Sequence, residues 1–243
     1  NSGITDIGII ISFEKPSIQK HFEIDPVLEH KLLVANKLEE YKIVREIGSM
    51  VNIHFILQEE PKGLGHAILC AKDFIGDDDF AIMLGDDLIV NKGTPALKQL
   101  IDVYEATGNS VLGVQEVPFS DVSKYGIIKP IEKSNGFIKI SSIVEKPQQE
   151  KAPSNLAVLG RYVLSNKIFD ELIKIKEVDG KEIQLTEGID HLIKKGHVYA
   201  CIFEGVRYDI GDKFGYIKAT IDFALEREDL KEKVIDYLKK VVK

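Results

Sequence analysis

Phe80-Ala81-Ile82-Met83-Leu84-Gly85-Asp86-Asp87 is an apolar run that ends in a glycine and two adjacent carboxylates. The segment Phe80–Leu84 is typical of a buried β-strand, because strands of parallel sheets are nearly continuous in apolar residues. Ligands of open α/β sheets bind beyond the carboxyl ends of the strands, which is where Asp86 and Asp87 would lie. Glycine and aspartate are also frequent in solvated turns, so the stretch alone indicates either a turn or a metal site.

Strand-like and helical patterns alternate through the first half of the chain. The strand-like segments are Asp6–Ser12, Asn52–Leu57, Phe80–Leu84 and Ser110–Val117. Three segments have helical patterns. The first runs from Asp25-Pro26 to about Glu46, the second is Gly63–Phe74, and the third begins at Thr94-Pro95 and ends at Gly108 as a C-cap. This strand–helix–strand alternation predicts a mostly parallel, doubly wound sheet.

The second half of the chain has a different pattern. Three consecutive strand-like segments, separated by turn signals such as Ser134-Asn135-Gly136, predict an antiparallel insertion. They are Tyr125–Ile131, Phe137–Glu145 and Leu156–Leu164. The remaining pattern predicts the helices Ser165–Ile175 and Leu185–Lys195, the strand Val198–Phe203, and the amphipathic helices Asp212–Glu228 and Leu230–Val242. We therefore expect an α/β fold, with a mixed, mostly parallel Rossmann-like sheet flanked by helices, an antiparallel insertion and C-terminal helices. Without a repeat or a linker, residues 1–243 are expected to form one domain.

Composition narrows the class of protein. The chain is 44% hydrophobic and 29% charged, as in ordinary globular proteins, and its net charge of -7 argues against nucleic-acid and acidic-membrane partners. Cys70 and Cys201 lie far apart in apolar stretches, which favours free thiols in a reducing compartment. No apolar run approaches the roughly 18 residues of a membrane span, and no signal peptide is recognisable. We expect a cytoplasmic protein, and the amphipathic C-terminal helices favour a homo-oligomer.

A second acidic turn occurs at Tyr208-Asp209-Ile210-Gly211-Asp212. Asp212 suits the N-cap of the helix that follows, but Asp209 has no such structural explanation. Magnesium takes one or two carboxylates and completes its octahedral shell with phosphates and water. Asp86 and Asp209 could therefore converge on one divalent cation, although their positions in the sequence do not show that they meet.

Two further motifs could bind a phosphorylated ligand. Gln58-Glu59-Glu60-Pro61-Lys62-Gly63-Leu64-Gly65-His66 leaves a strand and enters a helix, and its glycines would let backbone N–H groups approach an anion. An ordinary glycine turn explains the same pattern, and a histidine such as His66 is more often packed or capping than catalytic. Glu145-Lys146-Pro147 ends a strand. The two charged residues could form an ion pair on an edge strand that the proline closes. Alternatively, Glu145 could bind a polyol hydroxyl and Lys146 a phosphate.

No nucleophile is evident in the sequence. The chain contains no GxSxG motif, no P-loop and no histidine or cysteine cluster for zinc.

Seven strings, taken in order, resemble the prokaryotic UTP–glucose-1-phosphate uridylyltransferases, or UDP-glucose pyrophosphorylases. They are QEEPKGLGHAILCA, FAIMLGDDLI, VPFSDVSKYGII, IVEKP, APSNLAVLGRYVL, EIQLTEGI and FEGVRYDIGDKFGYIKA. The resemblance extends from about Asp6 to Leu225. It implies Mg2+-dependent transfer of a uridylyl group from UTP to glucose 1-phosphate, in which catalysis is positioning plus electrostatic stabilisation of phosphates.

The resemblance also implies roles for particular residues. Asp86 and Asp209 would hold the magnesium, and Asp86 and Lys146 would be catalytic, with Asp87 in support or solvated. The nucleotide would be bound by Gln58, Gly63 and Gly85, of which Gln58 and Gly63 would contact the uracil edge. The phosphates would be bound by Lys146 and Lys213. The sugar would be bound by Glu145, Gly126, Asn155 and Val158.

One part of the family pattern is missing from this sequence. The family begins with a strand and a loop of the form GxGTRxxPxTKxxPKE, whose arginine and lysine stabilise phosphate charge, and nothing here matches it. The turn at Ser12-Phe13-Glu14-Lys15 also departs from the family's GR(G/N)KR-like turn. Because the sequence enters a buried-looking strand at once and has no initial methionine, we expect an upstream segment. Three alternatives stay open, namely another sugar-1-phosphate nucleotidyltransferase such as a thymidylyltransferase, a noncatalytic sugar-nucleotide-binding relative and a DxD-type glycosyltransferase.

Overall fold

The chain forms ten strands and ten α-helices in a computed structural model that describes residues 2–13, 16–134, 136–175 and 182–242. The strands are β1 (Asp6–Ile11), β2 (Asn52–Leu57), β3 (Phe80–Met83), β4 (Asp87–Val90), β5 (Val111–Glu116), β6 (Gly126–Ser134), β7 (Phe137–Glu145), β8 (Leu156–Leu164), β9 (Tyr199–Ile202) and β10 (Val206–Asp209). The helices are α1 (Pro16–Phe22), α2 (Pro26–Val34), α3 (Leu38–Ser49), α4 (Leu64–Cys70), α5 (Lys72–Ile75), α6 (Ala96–Thr107), α7 (Ile168–Lys174), α8 (Leu185–Lys195), α9 (Lys213–Glu226) and α10 (Lys231–Val241). This alternation of strands and helices confirms the predicted α/β class.

The chain divides into two compact units. The first contains Asn1–Phe80, Ser142–Glu145 and Ser165–His197, and the second contains Ala81–Ser141, Lys146–Leu164 and Val198–Lys243. Each unit is formed by segments that are distant in sequence. One domain over residues 1–243 stays a prediction.

The first unit pairs β1 with β2 in parallel, from Asp6 opposite Asn52 to Ile11 opposite Leu57. A helical crossover joins the two strands, as parallel pairing requires. The predicted single helix from Pro26 to about Glu46 is wrong, because α2 ends at Val34 and α3 begins at Leu38. Asn36 between them has a φ of 54°, a left-handed conformation that asparagine tolerates and that ends a helix.

The second unit is built on a six-stranded mixed sheet with the strand order β3-β8-β5-β9-β7-β6. Strand β5 pairs antiparallel with β8 and parallel with β9, while β7 pairs antiparallel with β9. Every residue of β8 is buried, so β8 and β5 form the centre of the unit. The core cluster around them is Ala96, Leu97, Leu100, Val111, Val122, Ile127, Ala157, Leu159, Val163, Cys201 and Phe203.

Strands β4 and β10 form a separate two-stranded antiparallel ribbon in the second unit. Neither was predicted, because Asp87 and Tyr208-Asp209 were assigned to acidic turns. After β10, Asp212 caps α9 as predicted, since its carboxylate accepts hydrogen bonds from the N–H groups of Phe214 and Gly215 at 3.0 Å.

Two further sequence predictions concern the turn before β7 and the lack of a membrane-spanning segment. The predicted turn at Ser134-Asn135-Gly136 includes Asn135, which lies outside the described residues. In the part of the chain that the structure describes, no helix is both long and apolar enough to cross a membrane.

Helices α7 and α8 of the first unit are joined by a buried carboxylate. Glu171 on α7 is only 4% exposed and accepts hydrogen bonds from Lys195 Nζ at 2.6 Å and Lys174 Nζ at 3.1 Å. The hydrogen bond from Lys195 is the largest cause that lowers the pKa of Glu171 below its ordinary value. The charged form of Glu171 therefore stabilises the packing of α7 on α8.

Replacing the Glu171 carboxylate with a neutral amide should make the free energy of unfolding depend less on pH in the acidic range. A lowered folded-state pKa gives a contribution that is complete above the ordinary value of 4.5 and is lost as the pH falls through the folded pKa. We expect Glu171→Gln to lower the free energy of unfolding at pH 7, and we expect its difference from the wild type to shrink as the pH falls from 4.5 to 3, measured by urea denaturation. Glu187→Gln, at an exposed position of α8, is the control and should change neither value. An equal loss at both pH values would contradict the role of the charge.

Candidate active site

The turn that follows β3 is joined to β8 by a backbone hydrogen bond. The N–H of Leu84, the residue after β3, donates to the carbonyl of Gly160 in β8 at 2.9 Å. Asp87 then begins β4 instead of ending the turn. Gly85 and Asp86 are exposed in this turn, whereas Asp87 is buried, so the two adjacent aspartates have different environments.

The β4–β10 ribbon brings the two acidic turns together. Its register places Asp209 opposite Asp87, and the N–H of Ile210 donates to the carbonyl of Asp86 at 2.8 Å. Asp86 Oδ2 and Asp209 Oδ1 each lie 3.3 Å from the point where a Cβ of Gly211 would be. The structure therefore brings together the two carboxylates that the sequence predicted as metal ligands.

Asp86 and Asp209 differ in what they already bind. No hydrogen bond or ion pair to the carboxylate of Asp86 occurs among the described residues. Asp209 accepts hydrogen bonds from Arg207 at Oδ2, at 3.1 Å, and from the N–H of Asp212 at Oδ1, at 3.2 Å. No group of three His, Cys, Asp or Glu side chains in the described part of the chain could hold a metal ion. The pair suits a cation that needs only two protein carboxylates, as Mg2+ does.

Asp87 is a structural residue of this site. Its carboxylate is 7% exposed and forms an ion pair with Nε of Arg207, so it is not a solvated side chain. Burial raises the pKa of Asp87, while the hydrogen bond from Arg207 opposes that rise. Arg207 thus provides the countercharge that a buried carboxylate requires.

Arg207 uses all three guanidinium nitrogens. Nε contacts Asp87, Nη2 donates to Asp209 Oδ2, and Nη1 donates to the hydroxyl of Tyr125 at 3.1 Å. The guanidinium carbon also lies 4.9 Å from the centre of the Tyr125 ring. Burial acts to lower the pKa of Arg207, but its bonds to Asp87 and Tyr125 raise it above the ordinary value.

A second arginine, Arg161, is buried and fixes the backbone of the turn. Arg161 donates from Nη1 to the carbonyls of Leu84 and Gly160, at 3.2 and 2.9 Å, and from Nη2 to the carbonyl of Asp87 at 2.6 Å. Gly160 has a φ of 55°, and a Cβ there would lie 2.5 Å from Asp87 Oδ2. A glycine is therefore required beneath Asp87.

Lys146 is held in an uncommon backbone conformation. Its φ is 44°, in the left-handed region that costs about 1 kcal/mol for a residue with a side chain. The N–H of Lys146 donates to the carbonyl of Tyr125 at 3.0 Å, and Tyr125 also contacts Arg207. Strain of this kind is often kept where it positions a functional side chain, and the Lys146 side chain is exposed.

Four more of the predicted site residues lie in the second unit. Gly126 is half-buried at the start of β6, beside Tyr125. The carbonyl of Asn155 accepts from the N–H of Val117 at 3.0 Å, and Val158 is buried in β8 opposite Val114. Lys213 begins α9 and lines an open cavity of about 430 Å³ with Ile210, Gly211, Asp212, Tyr216 and Ile217.

In the first unit, the glycine-rich turn is clamped to the segment before α8. The N–H of Ile183 donates to the carbonyl of Lys62, and the N–H of Gly65 donates back to the carbonyl of Ile183, both at 2.8 Å. Gly63 has a φ of 96°, and a Cβ there would lie 2.7 Å from Cβ of Glu182. Gln58 Nε2 lies 3.4 Å from the carbonyl oxygen of Gly63 and 3.0 Å from Nδ1 of His66.

Glu145, at the end of β7, also belongs to the first unit. Its Oε2 accepts a hydrogen bond of 2.6 Å from the hydroxyl of Thr186, in the first turn of α8. This bond orients the half-buried carboxylate.

Sequence reasoning missed Arg207, Arg161 and Tyr125. A signal for Arg207 was present, because side chains two apart in a strand share one face, and Arg207 and Asp209 are two apart. No comparable local signal exists for Arg161, whose acceptors Leu84 and Asp87 are more than seventy residues away in sequence.

These features are those of a nucleotidyl transferase, and the chain belongs to that family, whose sequence pattern matches residues 1–225. It is 47% identical over 242 residues to the UTP–glucose-1-phosphate uridylyltransferase YngB of Bacillus subtilis (strain 168), covering 100% of this chain and 81% of that protein. Among solved structures, it is similar to a UTP-bound UGPase from Acinetobacter baumannii, with a TM-score of 0.89, 35% identity, and coverage of 100% and 84% of the two chains. A UDP-glucose pyrophosphorylase complexed with UDP-glucose has a TM-score of 0.84, 35% identity, and coverage of 93% and 83%.

Removing the guanidinium of Arg207 should destabilise the fold. Arg207→Met leaves the Asp87 carboxylate buried without a countercharge, and we expect a loss of about 3 kcal/mol in the free energy of unfolding at pH 7. Replacing both partners, as Asp87→Asn with Arg207→Met, should recover part of that loss because no unpaired charge is left. Urea denaturation measures all three values.

The matched control is Arg227→Met, because Arg227 forms an exposed ion pair with Asp229. An exposed pair contributes little, so the change should stay within about 0.5 kcal/mol. Equal losses for Arg207→Met and Arg227→Met would show that the buried pair has no special contribution.

Proposed function

We propose that this chain transfers a uridylyl group from UTP to glucose 1-phosphate in the presence of Mg2+, giving UDP-glucose and pyrophosphate. The observation that carries the proposal is the convergence of Asp86 and Asp209, each with a carboxylate oxygen 3.3 Å from the same point beside Gly211. The similarity to uridylyltransferases and to UTP- and UDP-glucose-bound structures supports the choice of substrates.

The reaction needs no nucleophile from the protein. An oxygen of the glucose 1-phosphate phosphate group forms a bond to the α-phosphorus of UTP. The bond from that phosphorus to the oxygen that bridges to the β-phosphate breaks, and pyrophosphate leaves with the electron pair. The protein therefore has to position two polyphosphate anions and offset their charge.

The residues of the second unit suit this task. Asp86 and Asp209 are hard oxygen ligands, and phosphates and water would complete the shell of a magnesium ion between them. When bound, the ion would neutralise phosphate charge and hold the reacting oxygens in line. Lys146 and Lys213 would bind phosphate oxygens, Gly85 would allow the nucleotide to approach the turn, and Gly126, Asn155 and Val158 would surround the sugar.

The residues of the first unit suit recognition of the base and the sugar. Gln58 and Gly63 would bind the uracil edge through the side-chain amide and the backbone. Glu145 would accept hydrogen bonds from glucose hydroxyls through its carboxylate, which the hydroxyl of Thr186 orients.

We also propose a cytoplasmic homo-oligomer. Cys70 and Cys201 are both free thiols, which is consistent with a reducing compartment. Helices α9 and α10 carry exposed apolar side chains that a second copy could cover. They are Phe214, Tyr216, Ile217, Tyr237 and Val241.

Neutralising either metal-binding carboxylate should abolish most turnover without unfolding the protein. We expect Asp86→Asn and Asp209→Asn each to lower kcat by about 100-fold or more, since each weakens a charge that organises the transition state. Because the Asp86 side chain is exposed, Asp86→Asn should change the free energy of unfolding by less than about 0.5 kcal/mol. Pyrophosphate release from UTP and glucose 1-phosphate measures turnover, and removal of divalent cations with EDTA should reproduce the loss.

The control for this experiment is Asp73→Asn, at an exposed position of α5, which should keep wild-type turnover. Near-normal turnover of the Asp86→Asn, Asp209→Asn double variant would contradict the metal assignment. A wild-type preference for dTTP over UTP would contradict the uridylyl specificity.

Substitution of Lys146 should lower the activity and leave the free energy of unfolding nearly unchanged. Lys146→Gly removes the ammonium and also relieves the left-handed strain, so the free energy of unfolding should stay within about 1 kcal/mol of the wild type. We expect kcat/KM to fall by about 10- to 100-fold, because a charged phosphate ligand is lost. Lys146→Arg keeps the charge and should retain more activity than Lys146→Gly. Equal activity of the two variants would show that the charge of Lys146 is not used.

A further inference from the structure

His66 lies in the first turn of α4 and contacts the side chain of Gln58. The distance from Nδ1 of His66 to Nε2 of Gln58 is 3.0 Å, and the contact is partly buried. The same Nε2 lies 3.4 Å from the carbonyl oxygen of Gly63. Two groups from one glycine-rich turn therefore face the same end of the Gln58 amide.

The carbonyl of Gly63 determines which end of the amide faces this turn. A carbonyl oxygen can only accept, so the nitrogen of the amide must point towards it, since the reverse orientation would bring two oxygens together. The position of that carbonyl is itself fixed by the clamp that joins Lys62 and Gly65 to Ile183. The backbone thus selects one of the two amide orientations.

The tautomer of His66 follows from the amide orientation. Because Gln58 Nε2 donates to it, Nδ1 of His66 must be unprotonated, and a neutral ring then carries its proton on Nε2. Both amide hydrogens of Gln58 are then occupied, one by Gly63 and one by His66. Among the residues that the structure describes, none donates to Oε1 of Gln58, and this oxygen can accept but cannot donate.

We propose that His66 is a positioning residue: by accepting the second amide hydrogen of Gln58 it reinforces the orientation that the Gly63 carbonyl sets, in which Oε1 faces the base, and so it strengthens the selection of uracil over cytosine. Uracil presents an N–H donor at ring position N3, whereas cytosine presents an acceptor at N3 and would oppose Oε1. The inference rests on the proposed function, in which Gln58 reads the base. A thymine ring has the same N–H at N3, so His66 should not discriminate between uracil and thymine.

The test compares His66→Ala, which removes the acceptor, with His66→Asn, whose Oδ1 restores an acceptor near the position of Nδ1. The readout is kcat/KM for UTP, CTP and dTTP, each with glucose 1-phosphate. We expect His66→Ala to lower the UTP:CTP ratio by about five- to tenfold, the equivalent of one neutral hydrogen bond, and to leave the UTP:dTTP ratio unchanged. His66→Asn should restore most of the UTP:CTP ratio.

The control variant is His30→Ala, at an exposed position of α2, which should behave as the wild type. A wild-type UTP:CTP ratio in His66→Ala, or an equal loss of that ratio in His66→Asn, would overturn the inference. If the wild type turns over none of these substrates, the proposed function itself fails. The 15N chemical shifts of the His66 ring provide an independent readout, and protonation at Nδ1 instead of Nε2 would also overturn the inference.

Discussion

The three-way contact of Arg207 with Asp87, Asp209 and Tyr125 is the interaction on which the candidate metal site depends. A buried carboxylate is stable only when it is paired, and the guanidinium pairs Asp87 while it binds one oxygen of Asp209. Asp209 is thereby oriented by a residue of its own strand. Asp86 receives no such restraint on its side chain, which leaves its carboxylate available for a cation.

The local charge of this cluster favours the same conclusion. Three carboxylates, those of Asp86, Asp87 and Asp209, lie near two guanidinium groups, and the bonds of Arg161 go to backbone carbonyls. Arg207 alone therefore compensates two of the carboxylates directly. A divalent cation would supply the missing positive charge and would then attract phosphates, which have to approach against the net charge of -7 of the chain.

Patterns that extend over many residues could be predicted from the sequence, and short or nonlocal features could not. Strands β2, β7 and β8 and helix α8 begin and end at the predicted residues, because each has an apolar pattern that extends over at least six positions. Strands β4 and β10 were missed because each includes a carboxylate that was assigned to an acidic turn, Asp87 in β4 and Asp209 in β10. The break at Asn36 was missed because it depends on one left-handed residue within an otherwise helical pattern.

The candidate site shows the same division between local and distant contacts. Gln58 and His66 are eight residues apart on a strand end and the helix that follows, so their proximity is encoded by one short turn. Asp87 and Arg207 are separated by 120 residues and meet only because β4 and β10 pair in one register. A shift of that register by one residue would turn Arg207 and Asp209 to the opposite face of the ribbon. The contact proposed to recognise the base is therefore encoded locally, whereas the charges of the proposed metal site depend on correct folding of the whole second unit.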